Sequence, residues 1–238
     1  MQQENEPGNV MARDRGCVLI SGASSGIGYA IAARLLAQGW KVIGLSRTRP
    51  DFSSAEFVFL SADLRNASSL TQALASVTHV DAIIHAAGFM RTAALGELNE
   101  EDGQAMWSVH VSAAATLVNA LHDRLADGGR IVLIGSRTAA GAAGRSQYAA
   151  CKAALVGLAR SWAAELVSRR ITVNIVAPGA TETPMLHAPG RAGTPPRRPP
   201  MGRFIQPEEV SGTVAFLLGP DAGAITGQQI VICGGGSL

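Results

Sequence analysis

Seven short apolar runs, separated mostly by stretches with helical spacing, constrain this chain more than any other feature. The runs are Cys17–Ile20, Lys41–Leu45, Glu56–Leu60, Asp81–Ala87, Arg130–Ser136, Ile171–Ala177 and Gln228–Cys233. They are apolar along nearly their whole length, which predicts strands of a parallel sheet buried on both faces. Helical spacing fills most of the gaps: Ile27–Gln38, Asn66–Ser76, Glu100–Ala126, Ser146–Ser168 and Pro207–Leu218. Gly39 stands where a helix C-terminal glycine belongs. This alternation predicts an α/β chain with a doubly wound, seven-stranded parallel sheet, helices on both faces and right-handed crossovers. One link differs: the residues between Leu45 and Glu56 have no helical period and are expected to form a loop.

A chain of 238 residues suffices for one domain with a sizeable core. No break in composition and no repeat divides it, so residues 16–238 are expected to form a single domain. Residues 1–15 are polar, carry both signs of charge and lack the apolar middle of a signal peptide, so they are expected to be a loose tail. With 47 % apolar and 16 % charged residues, wholesale disorder is excluded. The net charge of +2 gives no nucleic-acid footprint. No apolar run approaches the roughly 18 residues needed to span a bilayer. Cys17, Cys151 and Cys233 have neither pairing nor metal-ligand spacing. They are expected to be inert thiols in a protein of the reducing cytoplasm, with no metal site.

The first strand runs into Ser21-Gly22-Ala23-Ser24-Ser25-Gly26-Ile27-Gly28, which opens a helix. Glycines there allow close backbone approaches. The free N–H groups of the helix start can hold a pyrophosphate. A tight strand-to-helix turn is the plainer reading of such a loop. The spacing, glycine-three-glycine-one-glycine, differs from the commonest dinucleotide fingerprint.

Together with Asp63-Leu64, Ala86-Ala87-Gly88, Ser136, Tyr148-Ala-Ala-Cys-Lys152, Pro178-Gly179 and Gly227-Gln228, this loop resembles the pattern of the short-chain dehydrogenase/reductase family. The resemblance runs from about Gly16 to Gly236. It implies a Rossmann-type, nicotinamide-dependent oxidoreductase. Cofactor contacts are implied for Gly22, Ser24, Ser25, Gly26, Ile27, Gly28, Asp63, Leu64, Ala86, Ala87, Gly88, Tyr148, Lys152, Pro178, Gly179, Thr181 and Thr183. Asp63 is implied on the adenine and Thr183 on the carboxamide. Homo-oligomers, tetramers or dimers, are implied through the two long helices.

Tyr148 and Lys152 are four apart on an expected helix and so share one face. A free tyrosine has a pKa of about 10 and is a poor acid or base near neutrality. An ammonium about 4 Å away, at an effective dielectric near 20, supplies roughly 4 kcal/mol. That corresponds to about 3 pKa units, enough to bring a phenol near 7, where proton transfer is efficient. A solvated surface pair is the plainer reading of the same spacing. Ser136 ends the fifth strand, and its hydroxyl can polarise a reacting oxygen; otherwise it is an ordinary turn residue. The resemblance makes Tyr148 the proton donor or acceptor, Ser136 the substrate-orienting residue, and Lys152 also a contact of the nicotinamide ribose.

Two positions depart from the family. His110 stands where an Asn usually joins a water relay to the lysine. A histidine can donate and accept, so it either keeps the relay or packs a helix. His85 replaces another Asn, and a structural substitution is expected there.

The end of the second strand reads Leu45-Ser46-Arg47-Thr48-Arg49, with no acid for a ribose 2′-hydroxyl. Arg47 can pair with a 2′-phosphate and Ser46 can donate to it, so NADP(H) is expected over NAD(H), unless the arginines are only solvated. Six of the eleven prolines fall between Pro184 and Pro200. The segment from about 184 to 204 is therefore a candidate substrate lid. Its bases, His187, Arg191, Arg197, Arg198 and Arg203, suit a carboxylate or phosphate, or merely solubilise a loop.

The leading expectation is a ketoreductase resembling the 3-oxoacyl reductase branch. The runner-up is an NAD-dependent dehydrogenase like the branch that oxidises 2,3-dihydro-2,3-dihydroxybenzoate, favoured by the helix-free link and the run Ala86–Arg91. A cofactor-binding sensor without turnover is the third. A small-molecule substrate is expected, and neither a nucleic-acid nor a membrane partner.

Overall fold

The computed structural model describes residues 15–188 and 195–238. All seven expected strands form in it: β1 (Cys17–Ser21), β2 (Lys41–Ser46), β3 (Phe57–Ser61), β4 (Val80–His85), β5 (Leu125–Ile134), β6 (Thr172–Pro178) and β7 (Gln229–Ile232). They make one sheet in the order β3-β2-β1-β4-β5-β6-β7, with every neighbouring pair parallel. The helices are α1 (Gly26–Ala37), α2 (Ala67–Leu74), α3 (Glu100–Trp107), α4 (Ala113–Leu121), α5 (Ser146–Leu166) and α6 (Pro207–Leu218). The expected N-terminal tail lies outside the described residues, apart from Arg15.

The strands read as apolar throughout because both faces are covered. Successive side chains point to opposite faces. Val18, Ile20, Val42, Ala82, Ile84 and Val132 pack with Ile31 and Leu35 of α1 and with Val210, Val214 and Leu217 of α6. Leu19, Ile43, Ile83, Ile131 and Val173 pack with Leu70 and Leu74 of α2, Leu117 and Leu121 of α4, and Leu155 of α5. The link from β2 to β3 contains no helix, as expected. Phe52 does the covering there: it stacks on Tyr29 of α1 at 4.5 Å between centroids and tilts against Phe57 at 4.8 Å.

The stretch 100–126 corrects the single expected helix. It is α3, then a π-helical turn over Ser108–Ser112, then α4, which ends at Leu121. Such a turn widens a continuous helix by a residue and needs no Gly or Pro, so nothing in the spacing marks it. The early end has an identifiable cause. The Arg124 guanidinium donates to the carbonyls of Leu74 and Val77 at 2.8 and 2.9 Å, and Val80 N–H donates to Arg124 O at 3.0 Å. These bonds draw the chain into the sheet, and β5 begins at Leu125.

The strand order reverses direction between β1 and β4. Crevices outside the carboxyl ends of strands at such a point are where open α/β sheets take ligands.

Candidate active site

At that point the chain leaving β1 and the chain leaving β4 touch. Gly22 has φ +76°, and a Cβ on it would lie 2.6 Å from Ala87 Cα. A Cβ on Gly28 would lie 2.1 Å from the Gly22 carbonyl oxygen. The loop therefore closes on backbone alone, and α1 starts hard against it. Ser25 is the N-cap of α1 and makes no side-chain cap bond, and the first turn holds no acidic residue. The N–H groups and the positive end of the helix dipole are left for an anion.

The loop forms one end of a cleft of about 970 Å³. Every residue singled out from the sequence as a cofactor or catalytic candidate lines it. Gly22, Ser24, Ser25, Gly26, Ile27 and Gly28 are joined by Ser46 and Arg47 after β2 and by Asp63 and Leu64 after β3. Ala86, Ala87 and Gly88 follow β4, Pro178, Gly179, Thr181 and Thr183 follow β6, and Ser136, Tyr148, Lys152 and His110 form the far wall. The glycine cradle and the open helix start fit the pyrophosphate of a dinucleotide.

At the β2 end, Arg47 is exposed and makes no hydrogen bond or ion pair among the described residues, whereas Arg49 lies over the Phe59 ring at 5.8 Å. The Ser46 hydroxyl donates to the Thr48 carbonyl at 2.9 Å. Asp63 is held by Arg65, with Nη2 to Oδ2 at 2.9 Å, and that bond keeps its carboxyl below the usual range. Arg65 went unnoticed in the sequence, although a base two residues after an acid was a visible cue.

At the other end lie the groups suited to proton chemistry. Ser136 caps a short 3-10 turn, Arg137–Ala140, by accepting the Thr138 N–H at 3.1 Å. Ser136 also lines the cleft, and is thus the turn residue placed on its wall. Tyr148 and Lys152 lie on α5 and are buried. Lys152 Nζ donates to the Ile134 carbonyl at 2.7 Å and sits 5.8 Å from the centre of the Tyr148 ring. Burial lowers the Lys152 pKa from 10.5 to about 7. Helical spacing alone implies a permanent ammonium; burial in the fold brings its titration near neutrality.

His110 sits in the π-helical turn, buried, with its ring edge-on to Tyr148 at 5.5 Å. Its Nε2 is 2.8 Å from the Phe89 carbonyl, and its Nδ1 has no partner. Room for the ring exists because Gly88 has no side chain: a Cβ there would lie 2.3 Å from His110 Cε1. Burial first, then the Lys152 charge, hold the His110 pKa well below its usual value. His85 does not line the cleft. It is buried, its Nδ1 is 2.8 Å from Ser21 Oγ, and burial followed by Lys152 lowers its pKa to about 3.

The segment 184–204 starts with a turn over Pro184–His187. Its neck is closed by Glu182 N–H to Ile205 O at 2.8 Å and by Ile205 N–H to Ala180 O at 2.9 Å. Residues 189–194, including Arg191, lie outside the described residues. Met185, Leu186, Pro195 and Arg197 line the cleft, while Arg203 pairs with Glu209 at 2.7 Å instead. Among the described residues no disulfide joins the three cysteines: Cys151 and Cys233 are buried, and Cys17 is half-buried. Among the described residues no group of His, Cys, Asp and Glu has the arrangement of a metal site, and no helix is long and apolar enough to cross a membrane.

Residues 22–237 match the family model described as enoyl-(acyl carrier protein) reductase. The chain belongs to the short-chain dehydrogenase/reductase family. It is 33 % identical over 242 residues to (2S)-[(R)-hydroxy(phenyl)methyl]succinyl-CoA dehydrogenase subunit BbsD of Thauera aromatica, covering 92 % of this chain and 96 % of that one. It is 35 % identical over 233 residues to 3-oxoacyl-[acyl-carrier-protein] reductase FabG of Salmonella typhimurium, covering 91 % and 95 %. With 2,3-dihydro-2,3-dihydroxybenzoate dehydrogenase of Escherichia coli it shares 33 % identity over 239 residues, covering 93 % and 96 %. Among solved structures, a short-chain dehydrogenase family protein of Francisella tularensis superposes with a TM-score of 0.87 at 26 % identity, covering 93 % and 98 %. A metagenomic blue fluorescent protein in complex with NADPH gives 0.82 at 29 %, covering 96 % and 100 %. The chain is therefore an oxidoreductase of this family with a seven-stranded Rossmann-type fold.

Proposed function

We propose that this short-chain dehydrogenase/reductase is an NADP(H)-dependent ketoreductase that reduces a ketone, 3-oxoacyl-like or carboxylate-bearing, to a secondary alcohol. The reading is carried by the buried set Ser136, Tyr148 and Lys152 at one end of a cleft whose other end is a glycine cradle. The bound nicotinamide supplies the hydride. Ser136 donates to the carbonyl oxygen and holds it against Tyr148. The Tyr148 phenol gives its proton to that oxygen. Lys152 stands behind Tyr148, and a proton on its ammonium favours the phenolate left behind. His110 packs on Tyr148 and offers an unpartnered nitrogen to a proton relay. The segment 184–204 acts as the substrate lid, and α4 and α5 as contacts between subunits of a homotetramer or dimer.

The cofactor preference rests on Arg47, which is unpaired among the described residues and placed at the end of β2 where NAD enzymes carry an acid. Ser46 adds little, since its donor is committed to Thr48. The NADPH-bound structural relative supports the same cofactor, and the 3-oxoacyl reductase relative supports a ketone as substrate. A second reading, NAD-dependent oxidation of a cyclic dihydrodiol, is favoured by the relative acting on 2,3-dihydro-2,3-dihydroxybenzoate and by the helix-free β2–β3 link.

Titration of the purified protein with NADPH and NADH, followed by cofactor fluorescence, separates the two. One charge-assisted hydrogen bond contributes about 1.5–3 kcal/mol, so NADPH is expected to bind about tenfold or more tightly, and Arg47→Gln to erase the difference. Equal or tighter NADH binding overturns the preference and selects the second reading.

A further inference from the structure

Six arginines line the cleft: Arg47, Arg65, Arg91, Arg137, Arg145 and Arg197. Only two carboxylates face them, and both are taken. Asp63 holds Arg65 at 2.9 Å, and Asp102 lies 3.6 Å from Arg91. Arg47 belongs to the cofactor end. Arg137, Arg145 and Arg197 remain, and none has an ion pair or side-chain hydrogen bond among the described residues.

The placement of these three is specific. Arg137 directly follows Ser136, and Arg145 is the N-cap residue of α5, three residues ahead of Tyr148. The Nε of Arg145 is buried without a partner. Leaving a buried charged donor unsatisfied is costly, and crowding three like charges adds to the cost. Burial first, then the Arg137 charge, lowers the Arg145 pKa, while Tyr148 acts in the opposite sense. Arg145 therefore feels both its fellow cations and the proposed proton donor. An anion in this corner satisfies all of these groups.

We propose that Arg145, flanked by Arg137 and Arg197, is a carboxylate-binding subsite that selects an acidic carbonyl substrate. The inference deepens the ketoreductase reading and rests on Tyr148 acting at the carbonyl. A guanidinium fork matches a carboxylate in the bidentate mode. The closeness of Arg145 to Tyr148 sets the carboxylate a few bonds from the reacting carbon. A phosphate on a carrier arm, many bonds from its thioester, does not reach this corner while its ketone meets Tyr148.

The test uses two probe pairs, acetoacetate with acetoacetamide and benzoate with benzamide, titrated by ligand-observed NMR into the protein with and without saturating NADPH. The acid of each pair is expected to bind about tenfold or more tightly than its amide, the size of one charge-assisted hydrogen bond. Arg145→Gln is expected to abolish that preference and Arg145→Lys to keep part of it, with NADPH affinity unchanged in both. Unchanged NADPH affinity also shows that the variants fold. Should Arg145→Gln not fold, Arg137→Gln is expected to weaken the preference. Equal binding of acid and amide, no binding of either acid, or a preference that survives both substitutions overturns the subsite. Failure of the ketoreductase reading looks different: NADPH does not bind, or Tyr148→Phe turns over as the wild type does.

Discussion

The two ends of the cleft are built from different material. The end at β1 and α1 is backbone. Gly22 and Gly28 leave no room for a Cβ, and the helix start offers its N–H groups without a side-chain cap. The end at β5 and α5 is made of buried side chains, Ser136, Tyr148, Lys152 and His110, each aimed by a bond or a ring contact. Backbone recognition depends on shape and carries only partial charges. Side-chain chemistry depends on burial, and burial changes the charges it is meant to present. Lys152 shows this most directly, with its pKa brought down to about 7 by its own desolvation.

The largest expected effect sits at the side-chain end. Removing the phenol with Tyr148→Phe eliminates proton transfer, which contributes typically 10²–10⁴-fold, so kcat on any carbonyl the wild type reduces is expected to fall by about that factor. NADPH affinity is expected to change far less, because the cradle that fits the pyrophosphate lies elsewhere. An equal loss of cofactor binding breaks the division between the ends. The opposite experiment is Gly28→Ala. Its Cβ would sit 2.1 Å from the Gly22 carbonyl oxygen, so the loop has to move. Overpacking of this kind costs about 1–3 kcal/mol. Calorimetry is expected to show a lower Tm, and titration a weaker NADPH Kd. A variant with wild-type Tm and cofactor binding shows that the closure of the loop is not what holds the cradle.

The same division explains what the sequence made legible. The sheet was readable because strands covered on both faces are apolar along nearly their whole length, and the helix-free link because it lacks any period. The cradle was readable because backbone geometry demands glycine at fixed spacings, and Tyr148 with Lys152 because four residues is one helical turn. What stayed hidden depends on the third dimension. The π-helical turn at His110 leaves no mark in apolar spacing. The depressed charge of Lys152 follows from burial, which spacing does not report. The Phe59 ring under Arg49 is likewise invisible in the sequence, where Arg47 and Arg49 are two bases of one loop. Arg145 lay in plain sight one turn ahead of Tyr148, yet only the lack of a partner for its buried Nε singles it out.

The effect expected to be smallest near neutrality, where it vanishes, is the one that reports directly on burial. His85 lies behind Lys152, with its Nδ1 on Ser21 Oγ, and its pKa falls from 6.5 to about 3 in the folded chain. The folded state therefore keeps a neutral ring while the unfolded state takes up a proton below pH 6.5 or so. Stability from this group is fully present above that value and is lost as pH falls toward 3, at about 1.4 kcal/mol per pH unit. Lys152 acts in a separate window: its lowered pKa makes stability rise with pH from about 7 to 10.5. His85→Asn leaves Lys152 in place and removes only the acid response, and an amide still bonds to Ser21. Urea unfolding of both proteins at a series of pH values is expected to give a constant difference in free energy above pH 7. Below pH 6 that difference is expected to move in favour of His85→Asn at about 1.4 kcal/mol per unit. A difference that stays constant down to pH 4 means that His85 is hydrated or charged in the folded chain, and then burial does not set the charges at this end of the cleft.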